Sequence, residues 1–152
     1  MKFRVLIVGR SRCDWANTAV DDYTKRIRKL GGVTQDHVRL ATFHGDVEAV
    51  RNEEAKRLLK LVRPTDYVIA LDERGSSIDT AQFSRLIDKG RQRAQVVFVI
   101  GGAYGLGPDV RARADKVVRL SDFVLNHEVA RVVLYEQLYR ALTLLNNIPY
   151  HH

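Results

Sequence analysis

The chain has 152 residues, of which 45% are hydrophobic and 28% are charged, and it carries a formal net charge of +7 at neutral pH. That length is enough for one domain with a buried core, and the composition excludes a disordered chain and a membrane-embedded one. No apolar run approaches the roughly 20 residues that span a bilayer, and the apolar part of MKFRVLIVG is too short for a secretory signal. Because Cys13 is the only cysteine, no disulfide forms within the chain, and we expect a cytoplasmic protein.

Arginine dominates the positive charge, since 18 of the 25 basic residues are arginine and 7 are lysine. The planar guanidinium matches two phosphate oxygens at once, so this excess favours a nucleic-acid partner. The alternative is a solvated basic surface without a partner, and charge alone does not choose between the two. The basic residues cluster at Arg10 and Arg12, at Lys25–Lys29, at Arg91 and Arg93, and at Arg111 and Arg113.

The first half of the chain alternates predicted strands and helices. Phe3–Val8 is a continuous apolar strand, and Asp14 is placed to cap a helix that runs to about Leu30. Alternating apolar and polar residues predict a second strand over His37–Phe43. A helix over Val47–Val62 completes this half.

The second half continues the alternation and contains two strongly apolar strands. The predicted strands are Tyr67–Leu71, Gln95–Ile100 and Lys116–Arg119. Three helices are predicted: one from a capping box at Asp79 to about Lys89, a short one that begins at Pro108, and one from about Glu128 to Leu145. The last helix has an apolar stripe that fits a packed face, formed by Val133, Leu134, Leu138, Ala141, Leu142 and Leu145. Because the strands are nearly continuous in apolar residues, we expect one domain over residues 1–152, with a three-layer, mostly parallel α/β sheet.

A glycine-rich turn, Gly101–Gly107, follows the predicted strand Gln95–Ile100. It lacks the GxGxxG spacing of dinucleotide-binding turns, and no Gly-Lys-Ser/Thr of a phosphate-binding loop follows it. The remaining interpretations are a tight turn that needs positive φ and a backbone-lined ligand site at a strand end. Asp72–Gly75 also follows a buried strand, so the two strand ends are expected to face one crevice; taken alone, Asp72–Gly75 also fits a solvated loop.

The predicted loop Leu120–Asn126 precedes the final helix, and Asn126 or His127 is placed to cap that helix. His127 is either a structural residue or a ligand contact. Arg131 lies one turn further along and either faces the same cleft or forms an ion pair with a neighbouring glutamate.

The chain ends on Pro-Tyr-His-His, which either frays as a terminus or docks onto the domain. The proline and the tyrosine favour docking of this tail. The five histidines of the chain have no cysteine or acidic partners at ligand spacing, so no metal site is predicted.

Four segments together resemble one known family: VIGGAYGL, LSDFVLNHEVAR, LYEQLYRA and the terminal PYHH. They are similar to the RlmH family, the ribosomal RNA large-subunit methyltransferases of the SPOUT class, and the resemblance spans the whole chain. It implies an α/β fold whose carboxyl-terminal part is threaded into a trefoil knot, a homodimer, and S-adenosylmethionine as cofactor. It also implies methylation of N3 of a pseudouridine in 23S rRNA, on assembled ribosomes.

The resemblance implies roles for particular residues of this chain. The predicted cofactor contacts are Leu71, Gly101, Gly102, Leu106, Leu120, Ser121, Asp122, Phe123, Val124 and Leu125. The predicted catalytic residues are His151, Tyr150 and Arg131. The predicted RNA-binding residues are His127 and Arg140, together with Arg10 and Arg12 from the basic clusters. One departure is Asn126, which stands where the family usually has proline.

Methylation of an imide nitrogen requires loss of its proton, so a positioned base or a donor to the neighbouring oxygen would help. His151, with Tyr150 beside it, is the candidate for that work, and phosphate binding is the alternative role for His151. Two other functions stay open at this point. One is a knotted RNA-binding module without turnover, which Asn126 motivates, and the other is a small-molecule α/β enzyme in which the charge is incidental.

Overall fold

The computed structural model describes all 152 residues and contains five strands and five α-helices. The strands are β1 (Lys2–Val8), β2 (Gly32–Val38), β3 (Tyr67–Ser77), β4 (Val96–Ile100) and β5 (Lys116–Arg119). The helices are α1 (Asp14–Ile27), α2 (Val47–Leu59), α3 (Thr80–Lys89), α4 (Pro108–Arg113) and α5 (His127–Leu145). A short 3₁₀ helix, Gly90–Gln92, follows α3.

The five strands form one parallel sheet in the order β2-β1-β4-β3-β5. Along β1, Phe3 and Val5 face one hydrophobic core, and Leu6 and Val8 face the other. Helices α1, α3 and α5 cover the first core and α2 and α4 cover the second. The predicted three-layer α/β fold is therefore confirmed, and the knot implied by the resemblance stays a prediction.

The second strand lies earlier than the sequence pattern indicated, because β2 spans Gly32–Val38 instead of the predicted His37–Phe43. Its register pairs Lys2 with Gly32 and Val8 with Val38, so β2 begins and ends level with β1. As an edge strand, β2 leaves several polar side chains in solvent, which removes the apolar run that marks a buried strand. The strand over residues 37–43 was therefore wrong in position.

Two further element boundaries differ from the prediction. Helix α1 has Cys13 at its N-cap position without a side-chain hydrogen bond, so Asp14 is its first helical residue and not its cap. An acidic residue there still interacts favourably with the positive end of the helix dipole. Strand β3 continues past Leu71 to Ser77, with an irregular register against β5 between Leu71 and Ser76. The residues predicted as a loop after Leu71 are therefore extended.

Helix α5 packs on the sheet between α1 and α3, and its first turn lies at the carboxyl ends of the strands. Leu134, Leu138 and Leu142 are fully buried on its inner face, as the apolar stripe predicted. Asn126 is the N-cap, accepting a hydrogen bond from the Val129 N–H at 2.9 Å. Neither this 19-residue helix nor any other is long and apolar enough to cross a membrane.

Candidate functional site

Two adjoining cavities lie where the carboxyl ends of β1, β4 and β5 and the middle of β3, beyond its pairing with β4, meet the start of α5. Ligands of open parallel sheets bind at the carboxyl ends of the strands. The larger cavity has a volume of about 720 Å³ and lies over the middle of β3 and the ends of β4 and β5. The smaller cavity has a volume of about 240 Å³ and lies between the ends of β1 and β4. The wall common to both is formed by Ile100, Gly101, Gly102, Ala103 and His127.

The predicted cofactor residues gather around the larger cavity. Those that line it are Leu71, Gly101, Gly102, Leu106, Leu120, Ser121, Phe123, Val124 and Leu125. Asp122 does not line it, because its carboxylate is exposed and pairs with the Arg119 guanidinium at 2.9 Å. Asp122 as a cofactor contact stays a prediction, and the resemblance does not require its carboxylate for that contact.

The turn after β4 is a tight turn, as its sequence allowed, and it also lines both cavities. Gly105 has φ of 79°, and its N–H donates to the Gly102 carbonyl at 3.0 Å, which closes a tight turn. A Cβ on Gly101 would lie 2.7 Å from the Gly105 carbonyl carbon, so only glycine fits there. The same turn forms the wall of the cavities, and the absence of side chains at Gly101 and Gly102 lets backbone face a ligand.

The loop between β5 and α5 presents free backbone groups and exposed apolar side chains. The backbone of residues 121–125 makes no hydrogen bond to other backbone, and the one partner of its amides is Ser121 Oγ, 3.0 Å from the Phe123 nitrogen. Phe123 is 84% exposed and Val124 is 76% exposed, both at the cavity. Unpaired backbone groups beside an apolar wall suit a ligand that has both apolar and hydrogen-bonding parts.

Asp72 is a buried carboxylate that lines the larger cavity together with the glycine-rich turn, so the two strand ends do face one crevice. Arg74 Nη2 lies 2.9 Å from Asp72 Oδ2, and Arg111 Nη1 lies 3.6 Å from the same oxygen. Burial acts to raise the pKa of Asp72, but the hydrogen bonds and charge of Arg74, with the charge of Arg111, lower it below its ordinary value. Both guanidiniums also donate to the Leu106 carbonyl, so the cluster braces the glycine-rich turn.

Residues of α2 also support the glycine-rich turn, which the sequence analysis did not predict. Arg51 Nε donates to the Tyr104 carbonyl, and the Tyr104 ring stacks on Phe43 with centroids 5.8 Å apart. Glu54 is buried, with Oε2 accepting from the Ala41 N–H at 3.2 Å, and burial raises the pKa of its carboxyl. The contact between Arg51 and Tyr104 joins residues 53 positions apart, which no local pattern reveals.

Arg131 is only 2% exposed and lines the smaller cavity. Its Nη2 donates to Glu128 Oε2 at 3.0 Å, to Asn17 Oδ1 at 2.7 Å and to Ser11 Oγ at 2.9 Å. Its Nη1 donates to Gln35 Oε1 at 3.3 Å, while its Nε is buried and has no partner. Both interpretations of Arg131 thus hold together, since it forms an ion pair with Glu128 and also lies beside the cleft.

The terminal tail is docked, as expected, but it does not reach either cavity of its own chain. The Tyr150 ring packs edge-on against Tyr139 with centroids 4.8 Å apart, and Arg140 lies over its face at 4.7 Å. His151 Nδ1 is 3.4 Å from Arg140 Nη1. Because thirteen helical residues separate Arg140 from His127, the tail lies about 20 Å along α5 from the cavities. One chain alone therefore does not bring Tyr150 and His151 to the site.

The other predicted polar residues divide between the site and the surface. His127 lines both cavities, with Nε2 lying 3.6 Å from Glu128 Oε1. Arg10 is exposed and lines the smaller cavity, whereas Arg12 is exposed and lines neither. Arg140 is paired with Glu136, 2.6 Å away. No cluster of three or more His, Cys, Asp or Glu side chains is arranged to hold a metal ion.

Comparison with known proteins gives full-length matches. A family profile described as "Predicted SPOUT methyltransferase" matches residues 1–151. "Ribosomal RNA large subunit methyltransferase H" of Geobacter sulfurreducens is 41% identical over 158 residues, covering 100% of both chains. The protein of the same name from Trichlorobacter lovleyi is 40% identical with the same coverage. A "Putative RNA methyltransferase" of Arabidopsis thaliana is 41% identical over 100% of this chain and 80% of its own.

One solved structure supports the fold. A probable methylase family protein from Haemophilus influenzae superposes with a TM-score of 0.54 at 14% identity, covering 99% of this chain and 70% of that one. At this identity, the likeness establishes a shared architecture only.

Replacing Asp72 with asparagine should destabilise the fold in a pH-dependent way. The lowered pKa means that the ionised carboxyl contributes stability above its unfolded pKa of about 4, and that this contribution is lost as pH falls through the folded pKa. We expect Asp72→Asn to lower the free energy of unfolding by about 1–3 kcal/mol at pH 7, measured by urea denaturation. The difference from wild type should shrink below about pH 4.

The matched control is Asp122→Asn, which removes the same charge from the exposed pair with Arg119. It should change the free energy of unfolding by less than about 1 kcal/mol. Equal effects of the two substitutions at pH 7 would contradict a bracing role for Asp72.

Proposed function

The chain belongs to the SPOUT methyltransferase family, and from that premise we propose that it transfers a methyl group from S-adenosylmethionine to N3 of a pseudouridine in 23S ribosomal RNA. The full-length relatives named as methyltransferases of large-subunit ribosomal RNA support this substrate. The single observation that carries the proposal is the larger cavity, around which nearly all the predicted cofactor residues gather.

The residues of the larger cavity fit S-adenosylmethionine. The volume of this cavity, about 720 Å³, lies within the range of small-molecule sites, about 300–1,000 Å³. The free backbone groups of residues 121–125 suit the hydrogen-bonding edge of an adenine ring, and Leu71 and Leu106 supply apolar walls. Gly101 lets the ligand lie against backbone. When bound, S-adenosylmethionine supplies an electrophilic methyl group on a sulfonium centre.

The chemistry left to the protein is handling of the imide proton and alignment of the acceptor. N3 gives its proton to a base and forms a bond to the methyl carbon, while the electron pair of the carbon–sulfur bond stays on sulfur. A donor to the adjacent carbonyl oxygen stabilises the anion that forms. Arg131 and the start of α5 are the groups of this chain beside the shared wall that provide positive potential, and His127 adds a hydrogen-bonding ring.

A homodimer is part of the proposal because one chain does not bring its tail to its own cavities. Tyr150 and His151 act on the site of the partner subunit, which restores the catalytic role that the resemblance implies. The exposed Phe123 and Val124 beside the larger cavity are apolar surface that a second subunit or a ligand covers. Two copies also double the basic surface available to ribosomal RNA, with a net charge of +7 on each.

Asn126 gives no reason to favour the alternative of an inactive RNA-binding module. Its side chain caps α5 through the Val129 N–H at 2.9 Å, so the loop ends on a fixed hydrogen bond where the family usually has proline. The departure that motivated the alternative is thus compensated within this chain.

Deletion of the gene from its host tests the proposed function. Nucleoside mass spectrometry of 23S rRNA should show loss of one N3-methylpseudouridine, and its return when the wild-type gene is supplied. Persistence of that nucleoside in the deletion strain would refute the proposed substrate.

A methyl group added at Gly101 should abolish cofactor binding. In Gly101→Ala, the new Cβ collides with the backbone of Gly105 and distorts the cavity wall. Calorimetry with S-adenosylhomocysteine should show micromolar binding to wild type and a loss of about 100-fold or more in the variant. The matched control is Gly32→Ala, whose Cβ meets nothing within 4 Å. Unchanged binding by folded Gly101→Ala would show that S-adenosylmethionine does not bind in this cavity.

Two inactive variants should complement each other if the tail acts on the partner subunit. We expect deletion of Tyr150–His152 to abolish methyl transfer to ribosomes with cofactor binding retained, and Gly101→Ala to be inactive with its tail intact. Co-folded mixtures contain heterodimers with one complete site, so activity should recover to about a quarter of wild type. The control is each variant mixed with itself. Absence of recovery in verified heterodimers would place the tail on its own chain or outside catalysis.

A further inference from the structure

We propose that the smaller cavity binds the pyrimidine ring that accepts the methyl group, and that Arg131 recognises a carbonyl oxygen of that ring. The inference rests on the proposed function and adds the place and the recognition of the acceptor. It follows from four features of the cavity: its position, its size, its polar lining and the state of Arg131.

The position of the smaller cavity suits an acceptor. It shares a wall of five residues with the larger cavity, and that wall includes the two glycines whose missing side chains keep it thin. His127 lies at the boundary and lines both spaces. A methyl donor and an acceptor in adjoining cavities meet across this boundary, whereas the rest of the larger cavity extends away from β1.

The size of the smaller cavity selects a single ring. Its volume of about 240 Å³ is below the range of about 300–1,000 Å³ that holds cofactor-sized ligands. Apolar side chains of Ile7, Val8 and Ile100 line it from the strand ends, and Leu40 lines it from the segment after β2. These side chains suit the faces of a flat ring, and Arg10 is exposed where the sugar and phosphate of a nucleotide would leave.

Arg131 has a buried donor, its Nε–H, without an acceptor. Four side chains from four segments hold its guanidinium, yet its Nε is one of two buried polar side-chain atoms in the chain without a partner. A buried unpaired donor costs about 1–3 kcal/mol, so such a group needs an explanation. A carbonyl oxygen of a ligand in the adjoining cavity supplies the absent acceptor after a small adjustment of the side chain.

The chemistry of a uracil-type ring matches this lining. Its imide N–H lies between two carbonyl oxygens, and loss of the proton spreads negative charge onto both oxygens. A fixed guanidinium directed at one of them binds the anion more strongly than the neutral ring, which favours the reacting form. Glu128 keeps Arg131 in place through their 3.0 Å contact and faces the cavity itself, where it can accept a ring N–H.

The test uses a variant that fills the smaller cavity and leaves the larger one intact. Leu40 is 59% exposed, packs against Gly9 and lines the smaller cavity only, so Leu40→Trp should obstruct it without unfolding the chain. His44→Trp is the matched control, since His44 lies on the same segment, is exposed and lines neither cavity. Calorimetry with S-adenosylhomocysteine and single-turnover methyl transfer to unmodified ribosomes are measured on each protein.

We expect Leu40→Trp to bind S-adenosylhomocysteine as wild type does and to transfer methyl about 100-fold more slowly. His44→Trp should keep both properties. Arg131→Lys, which retains the charge but not the Nε donor, should lower the single-turnover rate by about 100-fold with little change in ribosome affinity. Its pH–rate profile should move to higher pH, because the imide anion is less stabilised.

The outcomes separate the inference from the function on which it rests. Wild-type transfer rates in Leu40→Trp and Arg131→Lys, with active wild type, would overturn the acceptor cavity and leave the methyltransferase intact. Loss of S-adenosylhomocysteine binding in Leu40→Trp would also overturn it, because the two cavities would then be one site. Wild-type protein that neither binds S-adenosylhomocysteine nor methylates ribosomes would refute the proposed function and the inference together.

Discussion

The buried guanidinium of Arg131 is the constraint on which the site depends. Removing a charge from water is costly, so Arg131 is stable only while its acceptors stay in place. Those acceptors come from the segment after β1 (Ser11), from α1 (Asn17), from β2 (Gln35) and from the first turn of α5 (Glu128). The guanidinium therefore fixes where α5 begins, and with it the position of His127 and of the loop that precedes it.

With the start of α5 fixed, two cavities with different properties lie at the carboxyl-terminal end of the sheet. The glycine-rich turn after β4 lies between them and is held from below by Asp72 with its two arginines and from the side by Arg51. The larger cavity is lined by free backbone groups, and the smaller one is lined by a buried cation, Arg131. In our proposal the larger cavity holds a methyl donor that carries an adenosine, and the smaller cavity holds a single pyrimidine ring. The two cavities thus offer the alignment that methyl transfer needs most from the protein.

The sequence predicted the elements whose patterns are local. The apolar runs of β1, β3 and β4, the capping box at Asp79 and the stripe along α5 all appear where expected. It misplaced β2, because an edge strand that exposes Thr34, Gln35 and His37 has no apolar run. The resemblance located the lining of the larger cavity, with Asp122 the exception. The partners of Arg131 lie 96 to 120 residues away in the chain, apart from Glu128, so only the folded structure reveals them. The distance of the tail from its own site likewise becomes visible only in three dimensions.

Methyl transfer to one atom of one base is tested by modification of ribosomes in vitro. Ribosomes that lack the modification are incubated with the purified protein and isotopically labelled S-adenosylmethionine, and the 23S rRNA is digested for nucleoside mass spectrometry. We expect one labelled methyl group per large subunit, recovered as N3-methylpseudouridine. No transfer, or a labelled methyl group on any other atom or base, would contradict it.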